Sequence, residues 1–143
     1  MDATLQEKYQ FIEFLLLFKG MLTRSELVAR FSIGEATASR LIASYLEESP
    51  GQMIFMGARN GYVISKSFKA CYEHSVEGAL QYIAYGRISS QLAVEQYGSE
   101  YLKSFTNLNI VLVSEITRAI VNNEWLKIQY FSTSSGRTIK NIR

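Results

Sequence analysis

The sequence predicts a mainly α-helical chain with a small β component, and three local patterns carry that prediction. A long apolar segment near the start repeats at helical spacing. A Thr-x-x-Glu box opens a second helix. An Asn-Gly pair separates two short apolar runs, as in a β-hairpin.

Leu5 to Lys19 reads as the first helix. Leu5, Tyr9, Ile12 and Leu16 fall on one stripe, and Phe11, Leu15 and Phe18 form a second beside it. Phe14 and Leu17 widen the apolar surface, so the helix is expected to be buried on more than one side. Gly20 ends it. Thr23-Arg24-Ser25-Glu26 is a capping box and predicts a helix from Arg24 to about Arg30, with Leu27, Val28 and Phe31 turned inward. Ser32-Ile33-Gly34 is a three-residue turn, with Ile33 as an apolar plug. A third helix runs from Glu35 to about Glu48, its inner face marked by Ala38, Ile42 and Tyr45 and bordered by Leu41 and Leu46. Ser49-Pro50-Gly51 stops it. "MIFM" and "YVIS" flank Gly57 to Gly61 as a hairpin, since Asn60 and Gly61 both accept positive φ. Helix, helix, turn, helix, hairpin is the order of a winged helix-turn-helix, complete by residue 66.

A helical pattern returns at Ser75, with Val76, Leu80, Ile83 and Arg87 in line and Ala79 alongside; Gly78 and Gly86 weaken it. Residues 91–102 read as one or two short helices around Gly98, and Asn107-Leu108-Asn109 as loop. Val113, Ile116 and Ile120 define a further helix ending at Asn122-Asn123. Trp125 to Phe131 alternates, with Leu126, Ile128 and Tyr130 on one side and Lys127 and Gln129 on the other. Ser132 to Gly136 is a turn, and Thr138 to Ile142 the returning strand, a lone hairpin that needs a partner to be stable.

The 143 residues fit one medium domain or two small ones, and 48% hydrophobic with 20% charged residues can bury a core. The longest apolar block, Phe11 to Phe18, is interrupted by Glu13 and is far short of a membrane span of about 20 residues. No export signal is visible, and a single cysteine, Cys71, excludes an internal disulfide; both suit a reducing cytoplasm. Net charge is +2. Residues 1–65 carry 6 Lys+Arg against 7 Asp+Glu, or −1, and residues 66–143 carry 9 against 6, or +3. Charge alone therefore leaves nucleic-acid binding open, and the placement of single side chains has to decide it.

The third helix is the most informative segment. With Ala38, Ile42 and Tyr45 facing inward, Ala36, Thr37, Arg40 and Ser44 point outward, Ser39 lies at the flank, and Glu35 opens the helix. Short side chains at a helix start let it enter a DNA major groove. Arg40 is placed for a guanine edge or a phosphate, and Thr37 for a thymine methyl or a phosphate. Arg59 and Asn60, at the hairpin tip, are placed for a phosphate or the minor groove. Arg24 and Ser25 can meet the DNA backbone through the start of the second helix. The bland alternatives are a solvated helix face and an exposed loop arginine. Cys71 and His74 lack companion ligands at metal spacing, and their spacing on one helix does not build a nucleophilic site. No catalytic residue, metal site or cofactor is expected. Most of the nine tyrosines belong to core stripes, Tyr9, Tyr45 and Tyr130 among them.

"LTRSELVARFSIGEATASRLIASYLEESPGQMIFMGARNGYVIS" resembles the N-terminal domain of WYL-domain transcriptional regulators, of the kind found beside bacterial phage-defence operons. "VSEITRAIVNNEWLKIQYFSTSSGRTIKNIR" resembles the opening of their WYL domain, a small SH3/Sm-like barrel. The turn departs from the family, which more often has Gly, apolar, Ser where this chain has Ser32-Ile33-Gly34, so the resemblance puts Ser32 at a position that often favours positive φ. The resemblance implies a DNA-binding domain at 1–66, a helical linker at 67–110 and an incomplete WYL domain at 111–143, the remaining strands lying beyond residue 143. It implies a repressor bound to a palindromic double-stranded DNA operator, and a nucleic-acid or nucleotide effector. A homodimer is expected, with Phe11, Phe14, Leu15 and Phe18 packed on linker helices of the same or the partner chain. The alternative is a winged-helix protein-interaction module without DNA contact.

Overall fold

The computed structural model describes residues 3–85, 108–134 and 136–142. Thr4 opens α1 (Leu5–Lys19) through a capping box with Glu7, and Gly20 closes it at φ 81°. A two-residue strand, β1 (Met21–Leu22), leads into α2 (Arg24–Phe31) and α3 (Glu35–Glu48). Strands β2 (Met53–Phe55) and β3 (Tyr62–Ile64) follow, then α4 (Val76–Tyr85). Beyond the undescribed interval come α5 (Ile110–Asn122), β4 (Leu126–Ser132) and β5 (Gly136–Ile142).

The capping box forms as expected: the Thr23 amide and hydroxyl each donate to Glu26 Oε2 at 2.9 Å. The other oxygen of Glu26 takes Lys19 Nζ at 2.6 Å, which ties the end of α1 to the start of α2. Ser32 ends α2 in the left-handed region, at φ 52° and ψ 40°, as its position predicts.

Strand β1 went unpredicted, because two residues carry no readable alternation. It completes an antiparallel sheet of order β1-β3-β2, in which Met21 faces Val63 and Ile54 faces Val63 from the other side. The hairpin between β2 and β3 forms, but not as a two-residue Asn-Gly turn. Residues 56–61 link the strands, with the Gly61 amide on Gly57 O at 2.9 Å and the Met56 amide on Gly61 O at 2.8 Å. Gly57 and Gly61 hold the positive φ values there, and Asn60 does not. A Cβ on Gly61 would stand 2.4 Å from the Leu22 carbonyl oxygen, so only glycine lets the hairpin cross β1 this closely.

Helix α1 is the central element. Tyr9, Ile12, Phe14, Leu15, Leu16 and Phe18 are all buried, meeting Leu22, Leu27, Ala38, Ile42 and Tyr45 in one core. The second stripe is covered within the chain. Phe14 packs edge to face on Tyr82 of α4, with ring centroids 5.6 Å apart. Helix α5 lies along α1, its Arg118 donating to Leu17 O at 3.0 Å and its Asn122 to Lys19 O at 3.2 Å. The face expected to pack on linker helices of the same or the partner chain packs on α4 and α5 of its own chain.

Helix α5 corrects one expectation. Val113 is buried as predicted, but Ile120 is 59% exposed, and Ser114, Thr117 and Ala119 are buried instead. The bulky surface of α1 leaves room only for short side chains opposite. The Ser114 and Thr117 hydroxyls are satisfied by their own helix, on Val111 O at 2.8 Å and Ser114 O at 3.0 Å. Strands β4 and β5 pair with each other from Leu126↔Ile142 to Ser132↔Gly136. Of the expectations for the middle of the chain, the start of α4 at Val76 is met; Arg87 and residues 91–102 lie outside the described residues.

Among the described residues Glu13 is the one charged residue buried in this core, at 0% exposure. Its carboxylate accepts the Tyr45 hydroxyl at 3.1 Å, the Cys71 amide at 2.9 Å and the Tyr72 amide at 3.0 Å, and His74 Nε2 lies 3.3 Å away. Burial alone would raise its pKa. The bonds from His74, from the Tyr72 and Cys71 amides and from Tyr45 outweigh that and hold it below the usual carboxylate range. The strap between β3 and α4 is thus pinned to α1, helped by Gln52, which exchanges two bonds with the Lys69 backbone at 2.6 and 2.8 Å.

Glu13→Leu is expected to cost about 3–5 kcal/mol, because it leaves several buried donors without an acceptor; urea unfolding checks it. A carboxyl whose folded pKa is lowered contributes stability that is present above its unfolded pKa and lost as pH falls through the folded value. Acid unfolding should therefore be steeper in the wild type than in Glu13→Gln. Ser32→Gly should stabilise the fold by about 0.5–1 kcal/mol, by relieving left-handed strain at the cost of some chain entropy; the same titration reads it.

Candidate nucleic-acid interface

Helix α3 starts from Gly34, an N-cap with no side chain, so its first amides are bonded by no capping side chain. Ala38, Leu41, Ile42 and Tyr45 are buried, which turns Glu35, Ala36, Thr37 and Arg40 to the surface, where all four are exposed. The Arg40 guanidinium folds back on its own helix, with Nε 3.4 Å from Ala36 O, a long bond that a better acceptor can displace. The opening turn of α3 is therefore a shallow surface of short side chains with one arginine beside it and one carboxylate, Glu35, at its lip.

Four other predicted positions, Arg24, Ser25, Ser39 and Ser44, make protein contacts. Ser39 is half-buried and accepts from Arg24 Nη1 at 3.3 Å, so α2 and α3 are linked across the turn. Arg24 and Ser25 are exposed beside that link, and Ser25 Oγ lies 2.9 Å from the Thr23 hydroxyl. Ser44 is half-buried too, its Oγ 2.6 Å from the Tyr9 hydroxyl. The structure thus brings Arg24, Ser25 and Ser39 together, leaves Glu35, Ala36, Thr37 and Arg40 outward on α3, and turns Ser44 to the α1 side.

Arg59 and Asn60 are exposed at the hairpin tip. Arg59 is the only charged residue between Met53 and Ile64, so that segment presents a single positive charge. The sequence reading missed that the hairpin is apolar on its outer strand. Ile54, Phe55 and Met56 are each more than half exposed, and Phe55 leans on Tyr62 with ring centroids 5.0 Å apart. "MIFM" is apolar throughout and shows no alternation, so no local signal marks which of its side chains face outward.

Among the described residues no group of His, Cys, Asp and Glu is placed to hold a metal ion. His74 and Cys71 serve Glu13: His74 by its ring and Cys71 by its amide. No helix among the described residues is long and apolar enough to cross a membrane.

Residues 4–85 match the family described as the BrxR transcriptional regulator winged helix-turn-helix domain, and the match runs from the capping residue of α1 to the end of α4. No curated protein matches the chain. The matched region covers more than half of the chain and includes α1, the α2-turn-α3 unit, the three-stranded sheet and the strap pinned by Glu13. The chain belongs to the BrxR family of winged helix-turn-helix transcriptional regulators.

Proposed function

We propose that this chain binds duplex DNA in a sequence-specific manner and acts as a repressor of a bacterial defence-associated operon. The observation that carries the reading is the outward face of α3: Glu35, Ala36, Thr37 and Arg40 exposed together on a helix whose other side is locked in the core. Short side chains let the helix start settle into a major groove, where Arg40 leaves Ala36 O and takes a guanine edge. Thr37 packs on a thymine methyl or a phosphate, and Glu35 accepts from a cytosine amino group. Arg24, Ser25 and Ser39 meet the backbone at one side of the groove, and Arg59 and Asn60 at the other. In this reading two copies act on a palindromic operator, and residues 111–143 begin a WYL barrel that takes a nucleic-acid or nucleotide effector.

A second reading has one observation in its favour. The outer strand of the hairpin is apolar and exposed at Ile54, Phe55 and Met56, and residues 1–65 sum to −1, both of which suit a protein-binding module. Salt separates the two readings, because phosphate neutralisation makes affinity fall steeply with salt and apolar docking does not.

Arg40→Ala should lower affinity for a duplex selected by the wild type by about 10-fold or more and leave a scrambled duplex almost unaffected, as loss of a bidentate base contact does. Arg59→Ala should weaken both duplexes by similar factors and reduce the salt slope by about one phosphate. Binding curves at several salt concentrations read all of this. Equal losses on both duplexes for Arg40→Ala would remove it from base readout, and no loss for either variant would favour the protein-interaction reading.

A further inference from the structure

Two tyrosines cross the seam between α1 and α3 in opposite directions. Tyr9, on α1, reaches Ser44 Oγ on α3 at 2.6 Å. Tyr45, on α3, donates to Glu13 Oε1 on α1 at 3.1 Å. Their rings meet edge to face, with centroids 5.4 Å apart and planes at 64°. Both rings are buried, so each hydroxyl is carried to its partner on a rigid arm packed on all sides.

Apart from the longer Arg24–Ser39 bond to α2 at 3.3 Å, the rest of the α3 contact is apolar. Ala38 and Ile42 are aliphatic and fully buried, and such contacts tolerate a small rotation of the helix with little loss. Hydrogen bonds do not, because they weaken steeply outside a narrow range of length and angle. Ser44 and Tyr45 are consecutive, so their side chains leave α3 about 100° apart. Tyr45 belongs to the buried face of α3 and Ser44 lies at its edge, so a rotation of the helix in either sense displaces both bonds.

We propose that Tyr9 and Tyr45 are positioning residues for base readout: their hydroxyls set the rotation of α3, and so whether Arg40 meets a base edge, while neither touches DNA. The inference rests on the DNA-binding reading above and gives Ser44 a role as Tyr9's partner in place of direct contact. Side chains end about 5–6 Å from a helix axis, so a turn of about 10° moves them by about 1 Å. A shift of that size breaks a bidentate hydrogen bond. It changes the attraction of an arginine for a phosphate far less, since Coulomb energy falls only as the inverse of distance. Loss of either hydroxyl should thus fall on discrimination and spare general affinity.

The test uses the whole chain and two duplexes: one selected by the wild type from a random-sequence library, the other a scrambled duplex of the same composition. Tyr9→Phe removes one exchanged bond and keeps the buried ring; Ser44→Ala removes the same bond from the other side. Tyr9→Phe should lower the ratio of selected to scrambled affinity by about 3–10-fold, with scrambled-duplex affinity and salt slope within about twofold of wild type. Ser44→Ala added to Tyr9→Phe should bring no further loss, because one bond is already gone. Tyr45→Phe supplies an independent arm with the same expected pattern, and thermal unfolding of each variant confirms that the chain compared is folded. Should Tyr45→Phe fail to fold, the Tyr9 and Ser44 cycle still decides. An unchanged ratio in folded Tyr9→Phe overturns the inference, as do additive losses for Tyr9 and Ser44, which would put Ser44 against the DNA itself. A wild-type chain that selects no sequence overturns the DNA reading and this inference with it.

Discussion

The Glu13 carboxylate is the contact on which the arrangement of this chain depends. A charged group at the centre of an apolar core costs several kcal/mol unless hydrogen bonds replace its water. Here the replacements come from two distant parts of the chain: a side chain of α3 and the backbone and His74 ring of the strap that precedes α4. The Tyr45 phenol is kept protonated by its burial and then by the Glu13 charge and bond, so it remains a donor across the working pH range. An apolar residue at position 13 would pack as well, but it would leave the strap free to slide and α3 free to turn. One acceptor thereby makes the seating of α3 and the seating of the strap mutually dependent.

The family match extends through α4 and so takes in the strap that Glu13 holds. The sheet and the three N-terminal helices form the fold, yet α1 is apolar on too many sides for them to cover. Helices α4 and α5 cover what remains, and they add polar anchors: Tyr82 hydroxyl 3.5 Å from Glu26 Oε1, and Arg118 and Asn122 on the last carbonyls of α1. The C-terminal carbonyls of a helix need partners once water is excluded, and α5 supplies two of them. Strands β4 and β5 are less well covered. Trp125, Phe131 and Ile139 are each more than half exposed, so this hairpin carries apolar surface well beyond what its own pairing buries.

Much of this was legible from local pattern. The Thr23–Glu26 box, the turn at Ser32 and the Asn60-Gly61 region are short-range signals at which the structure places an element boundary, and the inner face of α3 follows from helical spacing. The outward face of α3 was readable as the complement of its core positions. What was not legible depended on neighbours far along the chain. Glu13 looked like an interruption in an apolar run, because its partners lie 32 to 61 residues away. Strand β1 is too short to show a period. Ser44 sits at the edge of the outward face, and only the position of α1 decides that its hydroxyl meets Tyr9. Ile120 fits a helical stripe by spacing, yet the bulk of α1 selects Ser114 and Thr117 for the contact. Local chemistry named the elements, and their mutual packing chose which side chains were left for a partner.

The most direct measurement of this account is native-state amide hydrogen exchange, read residue by residue as a function of denaturant. If Glu13 joins the strap to α3, the Cys71 and Tyr72 amides should exchange with the same free energy and denaturant dependence as the Ala38 and Ile42 amides of α3, all opening in one cooperative unit. Exchange of Cys71 and Tyr72 through a small local opening, while the α3 amides stay protected to the global limit, would contradict it and leave the strap as an independent segment.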